Sequence, residues 1–301
     1  MKPKDLLMLL ALAATWGASF LFVRVASPVL GPLLTSFLRV SVAAVVLLIY
    51  LAAIQQPLNL RQHWKAFLGM GLFNATIPFT LFAVALLNLN ASYSAILNAT
   101  AAFFTALVAA VWLKEPFTFR KAFGVVLGMA GVAVLVGLNP VPLSFNSVVS
   151  VGLILLATFS YGIAAVFAKK FGKGIPPTLF ATGQQLGATL LMLPLMLIGL
   201  PAAKAPTTPV VVSIIGVAVL CTALAYLLYY RLIANIGPTN ALTVTFLIPV
   251  FGMAWGALFL GERVEWNAIL GFVIILVGMA LVLGIGSAPH LIKDSSTRTT
   301  V

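Results

Sequence analysis

Long apolar stretches follow one another along nearly the whole chain, near residues 5–26, 31–54, 63–87, 91–113, 119–138, 148–170, 175–199, 209–233, 238–260 and 266–286. Each matches the roughly 20 residues that an α-helix needs to cross the hydrocarbon core of a bilayer. In lipid every backbone N–H and C=O must find a partner, so only helices and closed barrels can span it. Barrel strands alternate apolar and polar residues over about ten positions, whereas these runs are longer and do not alternate. The chain is therefore expected to be an all-α integral membrane protein with ten transmembrane helices. Charged residues make up only 7% of the 301, against about a quarter in soluble domains, and no long polar stretch remains for a separate soluble domain. The start, Met1 to Asp5, is basic like a secretory leader. The apolar run behind it continues too long and lacks a small-residue cleavage site, so it reads as the first span.

The loops are short and carry the expected breakers: Gln55-Gln56-Pro57, Asn139-Pro140, Pro176-Pro177 and Gly237-Pro238. Residues 287–301 are polar and are expected to form a disordered cytoplasmic tail. The net charge of +12 would suggest nucleic acid in a soluble protein. Here the basic residues sit in loops beside apolar runs, without a basic stripe interleaved with aromatics, so they report topology and contact with the lipid bilayer. With the N-terminus inside, 13 lysines and arginines fall on the cytoplasmic side. Only Lys204, Arg263 and Arg24 fall at or near the outer side, and Arg39 lies within a span. Both termini are thus expected in the cytoplasm of a multi-pass inner (plasma) membrane protein.

An internal repeat is visible. Leu113-Lys114-Glu115 aligns with Leu260-Gly261-Glu262 at an offset of 262 − 115 = 147. At that offset Gly124 meets Gly271, Gly131 meets Gly278, Gly137 meets Gly284, Asn88 meets Asn235, Phe79 meets Tyr226 and Gly69 meets Gly216. Trp16-Gly17 meets Tyr161-Gly162 at 145. Each half then carries five spans. Because five is odd, the second half is expected to enter the membrane upside down relative to the first. Such inverted repeats let one half rock against the other around a site near the midplane.

The segment from Ala225-Tyr226 through Tyr229-Tyr230-Arg231, Gly237 and Pro249 to Leu260-Gly261-Glu262-Arg263 resembles the EamA family of the drug/metabolite transporter superfamily, nearest its YddG-like amino-acid exporters. The resemblance covers two copies, near 9–137 and 149–284. The first copy keeps Glu115 but has Ala102 where the second has Pro249, and Lys114 where the second has glycine, so the fourth helix is expected to be straighter than the ninth. The resemblance implies export of a small-molecule substrate, most readily an aromatic or other neutral amino acid, by alternating access. It also implies a central cavity lined by helices one, three, four, six, eight and nine.

No enzyme is indicated. His63 and His290 lie at a span edge and in the tail, and Asp5, Glu115, Glu262, Glu265 and Asp294 lie at span ends or in loops. A catalytic centre needs such groups to converge. Cys221 stands alone in an apolar run, so neither a disulfide nor a metal site follows, and no cofactor is called for. No span holds the buried acid that would exchange protons for cationic drugs.

The remaining candidates for a substrate-binding site are aromatic and neutral-polar. Trp16, Phe20, Phe79, Phe82, Tyr161 and Tyr226 are candidate walls, with Tyr229 beside them. Asn98, Gln184 and Thr245 are candidate polar contacts, with Thr100, Gln185 and Thr243. Polar groups in hydrocarbon need either an interhelical partner or a wet cavity. Arg39, whose counterpart at offset 145 is Gln184, either attracts a substrate carboxylate, snorkels outward or bonds carbonyls of a neighbouring helix. Gly124-x-x-x-Gly128 and Gly252-x-x-x-Gly256 permit close helix contact, within a monomer or in a weak homodimer. A purine, a sugar phosphate or a cationic drug stays open as substrate, and a channel as mechanism.

Overall fold

The computed structural model describes residues 2–137, 144–200 and 203–284. Within them every regular element is helical. Nine runs are long and apolar enough to cross a membrane: α1 (Pro3–Leu30), α2 (Pro32–Ala53), α3 (Leu60–Ala85), α4 (Ala91–Trp112), α5 (Phe119–Gly137), α6 (Phe145–Phe171), α7 (Pro177–Gly199), α8 (Thr208–Ile236) and α10 (Trp266–Leu283). Between α8 and α10 lies α9, formed by Pro238–Ala241 and the shorter apolar helix Val244–Leu260. The expected spans are all present, with shifted ends. Asn139-Pro140, His290, Asp294 and the 287–301 tail lie outside the described residues.

The ends follow from local chemistry. Prolines at the starts of α1, α2 and α7 place a residue without an N–H where that donor has no helical acceptor. Gly31, at φ +79°, is the single residue between α1 and α2, and few L-residues adopt that conformation. Asn90 opens α4 by accepting the Tyr93 N–H at 2.8 Å, and Ser144 opens α6 by accepting that of Ser147 at 3.2 Å.

Two helices depart from α geometry. α3 is π-helical over Leu72–Thr76 and α8 over Gly216–Leu224, and at the offset of 147 these stretches overlap. In α3 the cause is Pro78, which has no N–H and so frees carbonyls one turn back; the Ser160 hydroxyl satisfies that of Phe73 at 2.7 Å. α8 has no proline there, and its Thr222 hydroxyl donates to the Val217 carbonyl at 2.7 Å. The fourth helix is not straight. It breaks at Ala99–Thr100 despite Ala102, because the Thr100 hydroxyl bonds back to Leu97 at 2.7 Å and lies 2.9 Å from the Thr158 hydroxyl of α6. Thr243 and Thr245 make the same back-bonds in α9.

Packing is closest where side chains are smallest. A Cβ on Gly278 of α10 would stand 2.6 Å from the Gly124 carbonyl of α5, and one on Gly131 would stand 2.9 Å from that of Gly271. Gly128 faces the Phe103 ring and Gly252 faces Ala95, so both small-residue motifs pack within the chain. Contacts recur in pairs. Gly17 abuts Phe251 and Gly252, while Gly162 abuts Phe104 and Thr105, positions 147 residues earlier. Asn235 donates to Asp5 at 2.8 Å, and Asn88 donates to Ser150 at 3.4 Å.

Candidate functional site

A cavity of about 350 Å³ lies between α3, α6, α7 and α8, with Asn74, Tyr161, Gln184, Tyr226, Tyr229 and Tyr230 on its wall. It extends to Gly172, Ile175 and Pro177, the turn between α6 and α7. The size suits a small metabolite. Its polar centre is a triangle. The Asn74 amide donates to the Gln184 side-chain oxygen at 2.8 Å and to the Tyr226 hydroxyl at 3.1 Å. The Gln184 amide donates to the same hydroxyl at 3.0 Å. Asn74 sits on the π stretch of α3, where the helix widening turns one side chain out of the regular apolar register; single π turns often occupy functional positions.

Rings surround this triangle. Trp16 packs on Tyr226 and Tyr229, with centroids 6.4 and 5.2 Å apart. Tyr226 stacks on Tyr230 at 6.2 Å. Tyr161 packs on Phe82 at 6.2 Å, and Phe82 on Phe20 at 5.6 Å. The wall therefore offers flat apolar faces around a small set of neutral donors and acceptors.

Behind it lies a buried cation. Arg39 is about 10 Å along α2 from Pro32 at the usual helical rise and is only 9% exposed. Its Nε donates to the Thr222 hydroxyl at 3.1 Å, and its guanidinium carbon stands 3.6 Å from the centroid of Phe79, a stacked arrangement that stabilises a desolvated guanidinium. Phe79 shares a cluster with Tyr161, which puts the charge one ring away from the cavity wall. Among the described residues no carboxylate pairs with Arg39; the one ion pair is Lys169–Glu115.

The sequence matches the EamA-like transporter family over residues 4–137 and again over 149–284. The chain belongs to that family. The EamA match covers both halves. Among relatives, an uncharacterized transporter YvbV of Bacillus subtilis is 27% identical over 93% of this chain and 92% of its own length. A probable amino-acid metabolite efflux pump of Escherichia coli is 26% identical over 93% and 94%. One solved crystal structure shares the fold, with a TM-score of 0.65, 16% identity and coverage of 93% of this chain and 96% of the other. Family and fold together make this a multi-pass membrane transporter of the drug/metabolite superfamily.

The ten sequence candidates separate in space. Tyr161, Gln184 and Tyr226 line the cavity. Trp16 and Phe82 are not on the lining but pack against its tyrosines, Phe20 packs against Phe82, and Arg39 and Phe79 stand further behind. Asn98 is half-buried at the end of the first part of α4 and is not on the cavity wall; Thr245 spends its hydroxyl on the Leu242 carbonyl at 2.7 Å. Gln185, fully buried, has no partner for either side-chain polar atom. Asn74 and Thr222 were not singled out from sequence. The available signal was an asparagine in an apolar run four residues before Pro78; Thr222 carried none. A larger hollow of about 590 Å³ runs along α1, α8 and Trp255, with apolar walls apart from Thr15 and Arg231. Leu220 and Leu224 beside it are exposed, so it is a groove on the flank of the bundle with little to orient a polar solute.

Proposed function

We propose that this protein exports a small amino acid, aromatic or otherwise neutral, from the cytoplasm by alternating access of two inverted five-helix halves. The observation that carries this reading is Arg39, a buried cation without an acidic partner among the described residues, set behind a cavity walled by tyrosines and by the Asn74–Gln184–Tyr226 triangle. A carboxylate is the natural complement of an unpaired guanidinium, the rings suit an aromatic or apolar side chain, and the amides and hydroxyl suit an ammonium group. The paired contacts in the two halves, such as Gly17–Phe251 and Gly162–Phe104, support a pseudo-twofold relation. The distribution of lysine and arginine supports cytoplasmic termini in an inner membrane, with the cavity mouth at residues 172–177 on the cytoplasmic side.

A cationic drug fits poorly beside the buried Arg39 guanidinium. A sugar phosphate would call for more than one cavity cation. A purine is the second reading, because stacked tyrosines with two amides also match a flat heterocycle. Flux of tryptophan, methionine, threonine and glutamate into proteoliposomes tests the proposal, with adenine as competitor. Saturable flux of a neutral amino acid is expected; folded protein that moves none of them defeats the reading, and flux of adenine alone favours the purine.

A further inference from the structure

Two turns that are copies of one another hold their glutamates differently. After α9, Gly261 takes φ +64° and the Glu262 N–H closes onto the Gly256 carbonyl at 3.1 Å. After α4, Lys114 takes φ +54° and the Glu115 N–H closes onto the Ala109 carbonyl at 3.4 Å. The backbone is the same, six residues back in each case, even though a lysine must occupy the left-handed conformation in the first copy. The carboxylates diverge. Glu262 crosses to the start of α4, where it accepts the Ala91 N–H at 2.7 Å, the Ser92 N–H at 2.9 Å and the Ser92 hydroxyl at 2.6 Å. With Asn90 taking the Tyr93 N–H, the free donors of that helix start are filled, and the carboxylate also meets the positive end of the helix dipole. Glu115 crosses to no such place: it holds the exposed Lys169 of α6 at 2.5 Å.

The two ends are not simply tight and loose. The Asn235–Asp5 and Asn88–Ser150 bonds, one at each end, are both made. Only the glutamate contact differs, and local sequence favours that difference. At the offset of 147, Ala91 corresponds to Pro238, which has no N–H to give. Gly256 corresponds to Ala109, and a Cβ at 256 would fall 2.4 Å from a Glu262 carboxylate oxygen and 2.7 Å from the Ser92 hydroxyl. The seat that Glu262 occupies is therefore both poorer in donors and sterically narrower in the first copy.

We infer that Glu262 is a positioning residue that keeps the outer end of the transport path shut, and that its mismatch with Glu115 biases the resting protein toward the state open at residues 172–177. This rests on the alternating-access reading above. Separating the outer end of α9 from the start of α4 has to break three hydrogen bonds to a charged acceptor. Closing the opposite end recovers fewer and must also detach Glu115 from Lys169. An exporter gains from this bias, because its empty cavity faces the compartment where substrate is loaded.

The test uses the full chain with Cys221→Ala and a reporter Ala165→Cys on the cavity wall, labelled from either face with a membrane-impermeant thiol reagent. The parent is expected to label from the cytoplasmic face. E262Q is expected to raise labelling from the outer face about tenfold, the scale of losing charge-assisted hydrogen bonds. Adding E115Q to E262Q removes the Lys169 contact that closing the cytoplasmic end has to break, so it should raise outer-face labelling further, and a return to the parent level would overturn the role given to Glu115. G256A, which crowds the same carboxylate seat, should reproduce E262Q and decides the matter if E262Q does not fold. Unchanged sidedness in folded E262Q or G256A, or a shift toward the cytoplasmic face, overturns the latch. Neutral amino-acid flux measured on the same preparations decides the transport reading separately, since labelling does not depend on which solute is carried.

Discussion

The seam between α5 and α10 and the seam between α3 and α8 run through the same bundle but are filled in opposite ways. Along the first, glycines bring two backbones so close that a single added carbon would reach a carbonyl at 2.6 to 2.9 Å. Close packing carries most of this contact, as expected for helices in lipid, with one side-chain bond across it from Asn267 to the Leu135 carbonyl at 2.9 Å. Along the second, both helices depart into π geometry, and side chains of asparagine, glutamine, tyrosine and arginine fill the space between them. That seam holds a cavity of about 350 Å³. One interface is thus closed by small residues, while the other leaves a polar cavity. Small residues make a contact without alternatives, while polar groups bonded to one another can exchange those partners for a solute.

Substitutions at four positions break or sharpen this contrast. Gly278→Val on the closed seam is expected to have the largest effect, because the Gly124 carbonyl and the backbone of Gly128 stand within 2.9 Å of the new carbon; overpacking of this kind costs several kcal/mol, at about 3 or more. Loss of the monodisperse peak in detergent chromatography would register it, and normal folding of this variant would show that the seam can part. Arg39→Ala on the open seam should leave folding largely intact yet lower flux by a factor of about 100, consistent with removing the partner of a buried carboxylate, at about 2–3 kcal/mol. Arg39→Lys is expected to recover only part, since an ammonium cannot both stack on Phe79 and reach Thr222 in the planar manner of guanidinium. Equal flux in Arg39→Ala and the parent would remove Arg39 from the site.

Tyr226→Phe deletes the hydroxyl on which Asn74 and Gln184 both converge while keeping the ring against Trp16. A change of about five- to tenfold in apparent affinity is expected, with little change in expression, at about 1 kcal/mol. An unaltered KM would mean that the triangle only packs. The smallest effect belongs to Glu115→Gln. Its carboxyl is held below the ordinary carboxylate range, first by the hydrogen bond from Lys169. A lowered value in the folded state contributes stability above the ordinary carboxylate value, and that contribution is lost as pH falls through the lowered value. Because the Lys169 side chain is 64% exposed, the change in stability should stay within about 0.5 kcal/mol. Thermal melts of parent and variant should converge as the pH is lowered below 4.5, and a gap that widens there would contradict the ion pair.

Much of this was legible in the chain itself. The length and apolarity of the runs dictated membrane helices, since lipid leaves a backbone no other partner than itself. Register matches singled out related positions: Trp16 and Tyr161 make equivalent ring contacts, and Glu115 and Glu262 share a backbone turn although their carboxylates part. Aromatic and amide residues in spans marked part of the cavity wall, Tyr161, Gln184, Tyr226 and Tyr229, because such groups in hydrocarbon must face one another or water. Tertiary structure decided the rest. Asn74 and Thr222 became site residues only when two helices widened into π turns and faced Gln184, Tyr226 and Arg39. The break in α4 came from a threonine bond to α6, which outweighed the absence of proline. Where the two equivalent carboxylates found their partners was likewise decided in space, Glu262 at the start of α4 and Glu115 on Lys169. A sequence fixes what each segment can satisfy by itself, whereas the choice among partners of similar strength depends on distances that exist only once the helices have packed.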